Sequence, residues 1–247
     1  MEDRLSRMRL MVGEKALKNL KKAHVLVAGC GAVGGFAIES LARAGIGHLT
    51  IVDNDVVSIT NINRQLVALH STLGQKKVEV MRARVLDIAP EIKVDIVDKL
   101  INAESVEEIL ACQPDFVVDA IDSLNPKVCL IEALVKTGIP FVSSMGAAMK
   151  TKPELVRVAK MKDSYQCPLA AFIRKRLRRR EVALDFPVVY SPEKPDKANL
   201  KLPEESTQKS GRLRHEMGSL PTLTGIFGLT CAQVALDYFI DSKTDFV

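Results

Sequence analysis

Short apolar runs and helix-period stretches alternate along the first two thirds of the chain. His24 to Ala28 is a compact valine-rich run, and Leu49 to Val52, Lys93 to Val97, Phe116 to Ala120 and Pro140 to Ser144 are of similar length. Runs this short, bounded by turn residues, predict strands. Between them the apolar residues recur every three or four positions. Phe36, Ala37, Leu41 and Ala44 predict a helix that Gly45 stops. Val78, Met81, Val85 and Ile88 predict a second over 75–89, ended by Pro90. Ser105 to Cys112 and Leu124 to Thr137 predict two more. Strand and helix in alternation predict an α/β fold. It is Rossmann-like and doubly wound, with a mostly parallel sheet and helices on both faces.

The pattern weakens at both ends. Residues 1–22 read as an N-terminal helical arm, with Leu10, Met11, Leu17 and Leu20 forming short amphipathic helices around Gly13. Residues 23–160 are the core. Residues 161–247 read as an irregular α/β extension of the same domain, introduced by a strand at Leu155 to Ala159. The extension holds a helix over 168–181 with a narrow apolar stripe (Ala170, Ile173, Leu177) and a strand over Pro187 to Tyr190. A polar stretch over 191–218, without periodicity, predicts a long mobile loop. A final helix covers 221–240. That last stretch is apolar enough to pass as membrane-seeking, but Pro221, Gly225, Gly228, Gln233 and Asp237 interrupt it. It is read as a buried helix, with no stable membrane insertion expected.

Composition changes this picture in few places. Aromatic residues are 4% of the chain and Trp is absent, so the core is aliphatic. The five cysteines show no C-x-x-C spacing, which argues against a disulfide framework and against a Cys-only zinc site. The first thirty residues are charged and lack a secretory apolar run, so a reducing, cytoplasmic location is expected. The net charge of +5 is modest, but it is concentrated: six of the seven residues from Arg174 to Arg180 are basic. Arg174, Lys175, Arg176, Arg178, Arg179 and Arg180 face either solvent or an anionic partner such as nucleic acid.

The candidate chemistry centres on residues 24–53. Gly29, Gly31 and Gly34 form G-x-G-x-x-G between the first strand and the first core helix, and Asp53 ends the next strand nineteen residues after Gly34. In a nucleotide-binding turn the glycines serve the tight bend, the close phosphate approach and helix-on-strand packing. The helix start aims free N–H groups at an anion. Asp53, Asp55, Asn61, Asn63, Arg64 and Gln65 fall within thirteen residues, Lys77 opens the next helix, and Asp122 follows the fourth strand. Ligands sit outside the carboxyl ends of such strands, where these groups converge. A nicotinamide enzyme needs the glycine turn and Asp53 but not Arg64, Lys77 and a further Asp. Two cations with two carboxylates suit the phosphates of ATP with Mg²⁺. An NAD(P)-binding oxidoreductase and plain surface charges at Arg64 and Lys77 remain open readings at this point.

DNDVVSITNINRQ, GQKKVEVMRARVLDIAP and VVDAIDS resemble, in order and spacing, the motifs of the ThiF/MoeB/HesA superfamily, the adenylating enzymes related to ubiquitin-activating enzyme. The resemblance implies that Asp53 holds the ribose of ATP. It implies that Asn61, Arg64 and Lys77 bind phosphates and stabilise the transition state, and that Asp122 binds Mg²⁺. Arg7, in RLSR, matches an arginine that in this superfamily reaches the partner subunit's site, so a homodimer is implied. The zinc-binding C-x-x-C pairs common in sulfur-carrier activators are missing, which weighs against a ubiquitin-like protein substrate without removing it. CPLAAFIRKRLRRR, VVYSPE and GSLPTLTGIFGLTCAQVAL instead resemble the branch that dehydrates threonylcarbamoyladenosine in tRNA. That branch implies ATP and Mg²⁺ as cofactors, tRNA as partner and the six basic residues as tRNA contacts. It leaves room for a cysteine desulfurase as a sulfur-transfer partner. The nucleophile of such a cyclisation is already within the substrate, so Cys167 is not assigned to catalysis.

Overall fold

The computed structural model describes residues 3–195 and 217–241. Its strands are β1 (His24–Ala28), β2 (His48–Val52), β3 (Lys93–Val97), β4 (Phe116–Asp119), β5 (Phe141–Ser144), β6 (Arg157–Lys160) and β7 (Pro187–Tyr190). They make one seven-stranded sheet in the order β3-β2-β1-β4-β5-β7-β6, parallel throughout except for β6 against β7. The expected α/β doubly wound architecture is therefore present. The expected strand 155–159 starts later, because Pro153–Leu155 turns as a 3₁₀ helix.

The helices are α1 (Ser6–Lys22), α2 (Gly34–Ala44), α3 (Lys77–Ile88), α4 (Val106–Leu110), α5 (Leu124–Thr137), α6 (Pro168–Arg178) and α7 (Pro221–Ile240). β1 is buried along its whole length, and its side chains alternate between two cores. Val25 and Val27 join α1, α2, α3 and α7 on one face; Leu26 and Ala28 join α4, α5 and α6 on the other. A strand covered on both sides has no polar face, which is why β1 and β4 read as continuous apolar runs.

α7 has the length and apolarity of a membrane span, and much of it lies inside the core. A Cβ at Gly228 would run into the Val33 carbonyl oxygen and come within 2.8 Å of Phe36 Cβ, so glycine permits the close crossing of α7 on α2. α1 is two helical pieces joined at Gly13, whose φ of 79° breaks the hydrogen-bond ladder. α6 stops at Arg178, three residues before the expected end; Glu181 has a left-handed φ of 57° that no helix continues. Most of the stretch expected as a mobile loop, 196–216, lies outside the described residues.

Candidate functional site

The β1 exit sits between the exits of β2 and β4, where the connections diverge to opposite sides of the sheet. A crevice at such a switch point is where open α/β sheets bind ligands. Gly29 has φ 98°, and a Cβ there would lie 2.8 Å from the Ala120 carbonyl oxygen. A Cβ on Gly34 would collide with the Gly29 carbonyl. Gly31 faces a roomier space, with Gln65 Nε2 the nearest atom at 3.8 Å from a Cβ built there. Two glycines thus close the turn and the third leaves its backbone approachable.

Asp53 fastens the glycine turn to the loop after β2. Its Oδ2 accepts the Cys30 N–H (2.7 Å) and its Oδ1 the Asp55 N–H (2.8 Å). That loop folds back on the start of α3. Val56 bridges Lys76, and the Lys77 N–H donates to the Asp55 carbonyl at 3.1 Å. The clasp brings Lys77 Nζ within 2.7 Å of Asp55 Oδ2. Lys77 is only 5% exposed while the Asp55 side chain is largely open to solvent. A buried ammonium needs a partner, and an anion arriving from solvent would meet the same charge. The reading of Lys77 as a plain surface charge is corrected by its burial.

Asn61 and Arg64 lie on and after the 3₁₀ turn Ile59–Asn61. Ser58 precedes this turn, and its N–H donates to Asn61 Oδ1 (3.1 Å). Arg64 Nη1 donates to the Thr60 carbonyl (2.9 Å) and to Asn63 Oδ1 (2.8 Å), which fixes the guanidinium plane. Asn63 Nδ2 in turn donates to the Ser219 carbonyl at 3.3 Å. Asn63 has no separate role in the sequence reading, and its partner 156 positions away leaves no local signal. Gln65 is buried with its Oε1 lacking a donor among the described residues, a polar group left over beside the glycine turn.

Asp122 is exposed on the loop after β4, two residues past Ala120, which touches the glycine turn. Behind it Asp119 Oδ1 accepts the Ile121 N–H (3.1 Å). Its Oδ2 takes both Lys127 Nζ (2.7 Å) and Ser143 Oγ (2.6 Å). This buried triad shapes the loop that carries Asp122. Among the described residues no three His, Cys, Asp or Glu side chains cluster as metal ligands. One exposed carboxylate near the glycine turn nevertheless fits Mg²⁺, which keeps several waters and takes one or two carboxylates plus substrate phosphates.

α6 lies against α5, and Arg176 Nη1 donates to Asn125 Oδ1, three residues past Asp122. The six basic residues are not equivalent. Arg174 is half-buried and donates to Ser164 Oγ, and burial followed by the nearby Arg178 charge lowers its affinity for a proton. Arg180, beyond the helix end, pairs with Glu132. Lys175, Arg178 and Arg179 are exposed and form no ion pair among the described residues. Arg7 does not join this site within its own chain. Its neighbours Arg4 and Leu5 contact Ala42 and Gly45, at the far end of α2 from Gly34. An eleven-residue helix separates those ends by roughly 16 Å. Cys167 is buried at the cap of α6.

The family model described as the ThiF family matches residues 3–246. A tRNA threonylcarbamoyladenosine dehydratase of Bacillus subtilis (strain 168) is 42% identical over 190 residues, 77% of this chain and 75% of that protein. One from Escherichia coli (strain K12) is 41% identical over 168 residues, 68% of this chain and 63% of that protein. The crystal structure of an E. coli tRNA N6-threonylcarbamoyladenosine dehydratase in complex with ATP superimposes with a TM-score of 0.87 at 32% identity, over 97% of this chain and 94% of that one.

Proposed function

The chain belongs to the ThiF family, and from that premise we propose that it is an ATP-dependent tRNA threonylcarbamoyladenosine dehydratase. A carboxylate is a poor electrophile. Transfer of AMP to the carboxylate of the threonylcarbamoyl side chain gives a mixed anhydride and releases pyrophosphate. The ureido group of the same side chain then displaces AMP and closes the ring, so the nucleoside loses one water overall. The nucleophile is tethered, and that replaces a bimolecular step by an oriented one.

One observation carries this reading. The basic helix α6 is bonded through Arg176 to Asn125, beside the loop of Asp122. A polyanion on α6 and a nucleotide over the glycine turn would therefore meet at the same strand ends. In this reading Gly29, Gly31, Gly34, Asp53, Asp55, Asn61, Arg64, Gln65, Lys77 and Asp122 hold ATP. Arg64 and Lys77 neutralise charge as the α-phosphorus is attacked. Asp122 would hold Mg²⁺, which would supply charge neutralisation at the phosphates.

We further propose a homodimer in which Arg7 acts on the partner's site. The exposure of Leu10 (82%) and Met11 (85%) on the same arm supports it, since single-chain surfaces seldom leave two adjacent large apolar side chains so open. A cytoplasmic location accords with the five unpaired cysteines and the tRNA substrate. The deciding experiment incubates the protein with ATP, Mg²⁺ and tRNA carrying threonylcarbamoyladenosine, followed by nucleoside mass analysis. Loss of one water, dependent on ATP, is the expected result; an unchanged nucleoside mass would overturn the assignment.

A further inference from the structure

α6 carries a residue that the basic-strip reading leaves without purpose. Phe172 is 59% exposed. On an eleven-residue helix whose inner stripe is Ala170, Ile173 and Leu177, an aromatic side chain turned to water gains nothing from the core. Its surroundings are informative. Lys175, Arg176 and Arg179 lie at i+3, i+4 and i+7 from it, so all four side chains share one face of the helix. Arg176, one turn on, donates to Asn125 beside the Asp122 loop. The ring therefore stands among basic side chains, one helical turn from Arg176, which reaches the segment that follows Asp122.

We propose that Phe172 is a stacking platform for an unpaired base of the RNA substrate, flanking or including the nucleoside that reacts. This rests on the tRNA reading above and adds to it a contact with a base rather than with the backbone. Cations alone bind any polyphosphate. An exposed aromatic ring favours single-stranded loops, whose bases can be splayed out and stacked, over a continuous duplex. The ring would also immobilise the loop beside Asp122 at small entropic cost, because Phe has only two side-chain torsions.

The test uses the full chain and three variants, Phe172→Ala, Phe172→Leu and Phe172→Trp. Binding is measured by filter retention over a salt series against two RNAs: a hairpin with an unpaired loop and a fully paired duplex of equal charge. Phe172→Ala and Phe172→Leu should each weaken hairpin binding roughly tenfold, the loss of one base–aromatic stack. Phe172→Trp should restore it. The slope of log affinity against log salt should stay that of the wild type, because no phosphate contact is lost. Duplex binding and ATP binding should not move.

Wild-type affinity in Phe172→Leu would show that apolar bulk suffices and would overturn stacking. An equal loss on hairpin and duplex, or a lower salt slope, would overturn it as well. So would a change in sedimentation from dimer to monomer at unaltered RNA affinity, which would make the ring a contact between copies of the chain. If the wild type binds neither RNA, the functional reading falls together with this one. If it binds the hairpin and Phe172→Ala binds it equally, only the stacking role is lost.

Discussion

Lys127 Nζ lies 2.7 Å from Asp119 Oδ2, and both side chains are completely shielded from solvent. Ser143 Oγ donates to the same carboxylate oxygen, and the other oxygen takes the Ile121 N–H. A buried charge without its partner is far more costly than a pair replaced by apolar groups. Lys127→Met should therefore destabilise the fold by about 3–5 kcal/mol. The double variant Lys127→Met with Asp119→Leu should recover a large part of that loss. Urea denaturation with equal m-values reads both. A double variant as unstable as the sum of the singles would show that the two charges are not coupled.

The same pair shows what a chain read in one dimension can yield. The glycine turn, Asp53 and the α/β order were legible because each depends on neighbours a few positions apart. Asp119 reads only as the polar end of an apolar strand, since Lys127 is one turn into α5 and Ser143 lies on another strand. Lys77 looks like any helix-opening lysine until the Val56–Lys76 bridge folds Asp55 onto it. The basic run reads as one uniform strip because its acceptors lie on other segments, Ser164 ahead of α6 and Asn125 and Glu132 on α5. Charge is written locally, but its compensation is a tertiary property.

Under the proposed function, Arg64→Ala, Lys77→Ala and Asp122→Ala should each cut turnover by about a hundredfold or more, since the first two remove positive charge that complements the transition state and the third removes the carboxylate that would hold Mg²⁺. Arg64 and Asp122 lie on loops outside the core, so circular dichroism of those two variants should stay native. Lys77→Ala deletes a buried side chain and should also lower Tm by a few degrees. Calorimetry on the wild type should show binding of Mg·ATP and little binding of NAD. Near-normal turnover in all three variants would remove these residues from the catalytic assignment.

Arg7 follows Arg4 and Leu5, which contact the end of α2 remote from Gly34, and in the proposed dimer it acts on the partner's site. Arg7→Ala and Lys77→Ala homodimers should each be inactive. Mixed heterodimers should regain up to about half of the wild-type activity per dimer, because one of the two sites then has both side chains. A strictly monomeric protein in sedimentation, or heterodimers as inactive as their parents, would refute action in trans.

His24 stacks on His48 with ring centroids 3.6 Å apart, and its Nε2 meets Thr50 Oγ1 at 2.8 Å. Burial and then the facing His48 hold its pKa down to about 4, against the opposing pull of Asp115 and Asp95; Lys93 adds slightly to the lowering. The unfolded chain takes up a proton near pH 6.5 and the folded chain does not until about pH 4. Stability is therefore full above 6.5 and is lost as the pH falls towards 4, by about 2 kcal/mol between pH 7 and pH 5. His24→Gln should flatten that part of the stability–pH curve. An unchanged slope in the variant would assign the acid sensitivity to other groups.

The basic residues of α6 and its end should separate in a salt titration of tRNA binding. Every phosphate contact releases condensed counterions, so affinity falls with salt by a slope of roughly 0.7 to 0.9 per contact. A cation already engaged by its own chain releases fewer. Arg180 is neutralised by Glu132 and Arg174 is half-buried against Ser164. Lys175, Arg178 and Arg179 stand free of ion pairs among the described residues. Replacing those three by Ala should lower the slope by about two to three units. Arg180→Ala should lower it by less than one, and Arg174→Ala should cost fold stability before it costs affinity. ATP binding should hold in all of them, because none of these side chains touches the glycine turn. Equal slopes in the wild type and the triple variant would mean that this helix is a solvated basic face. The tRNA assignment would then stand on kinship with the dehydratases alone.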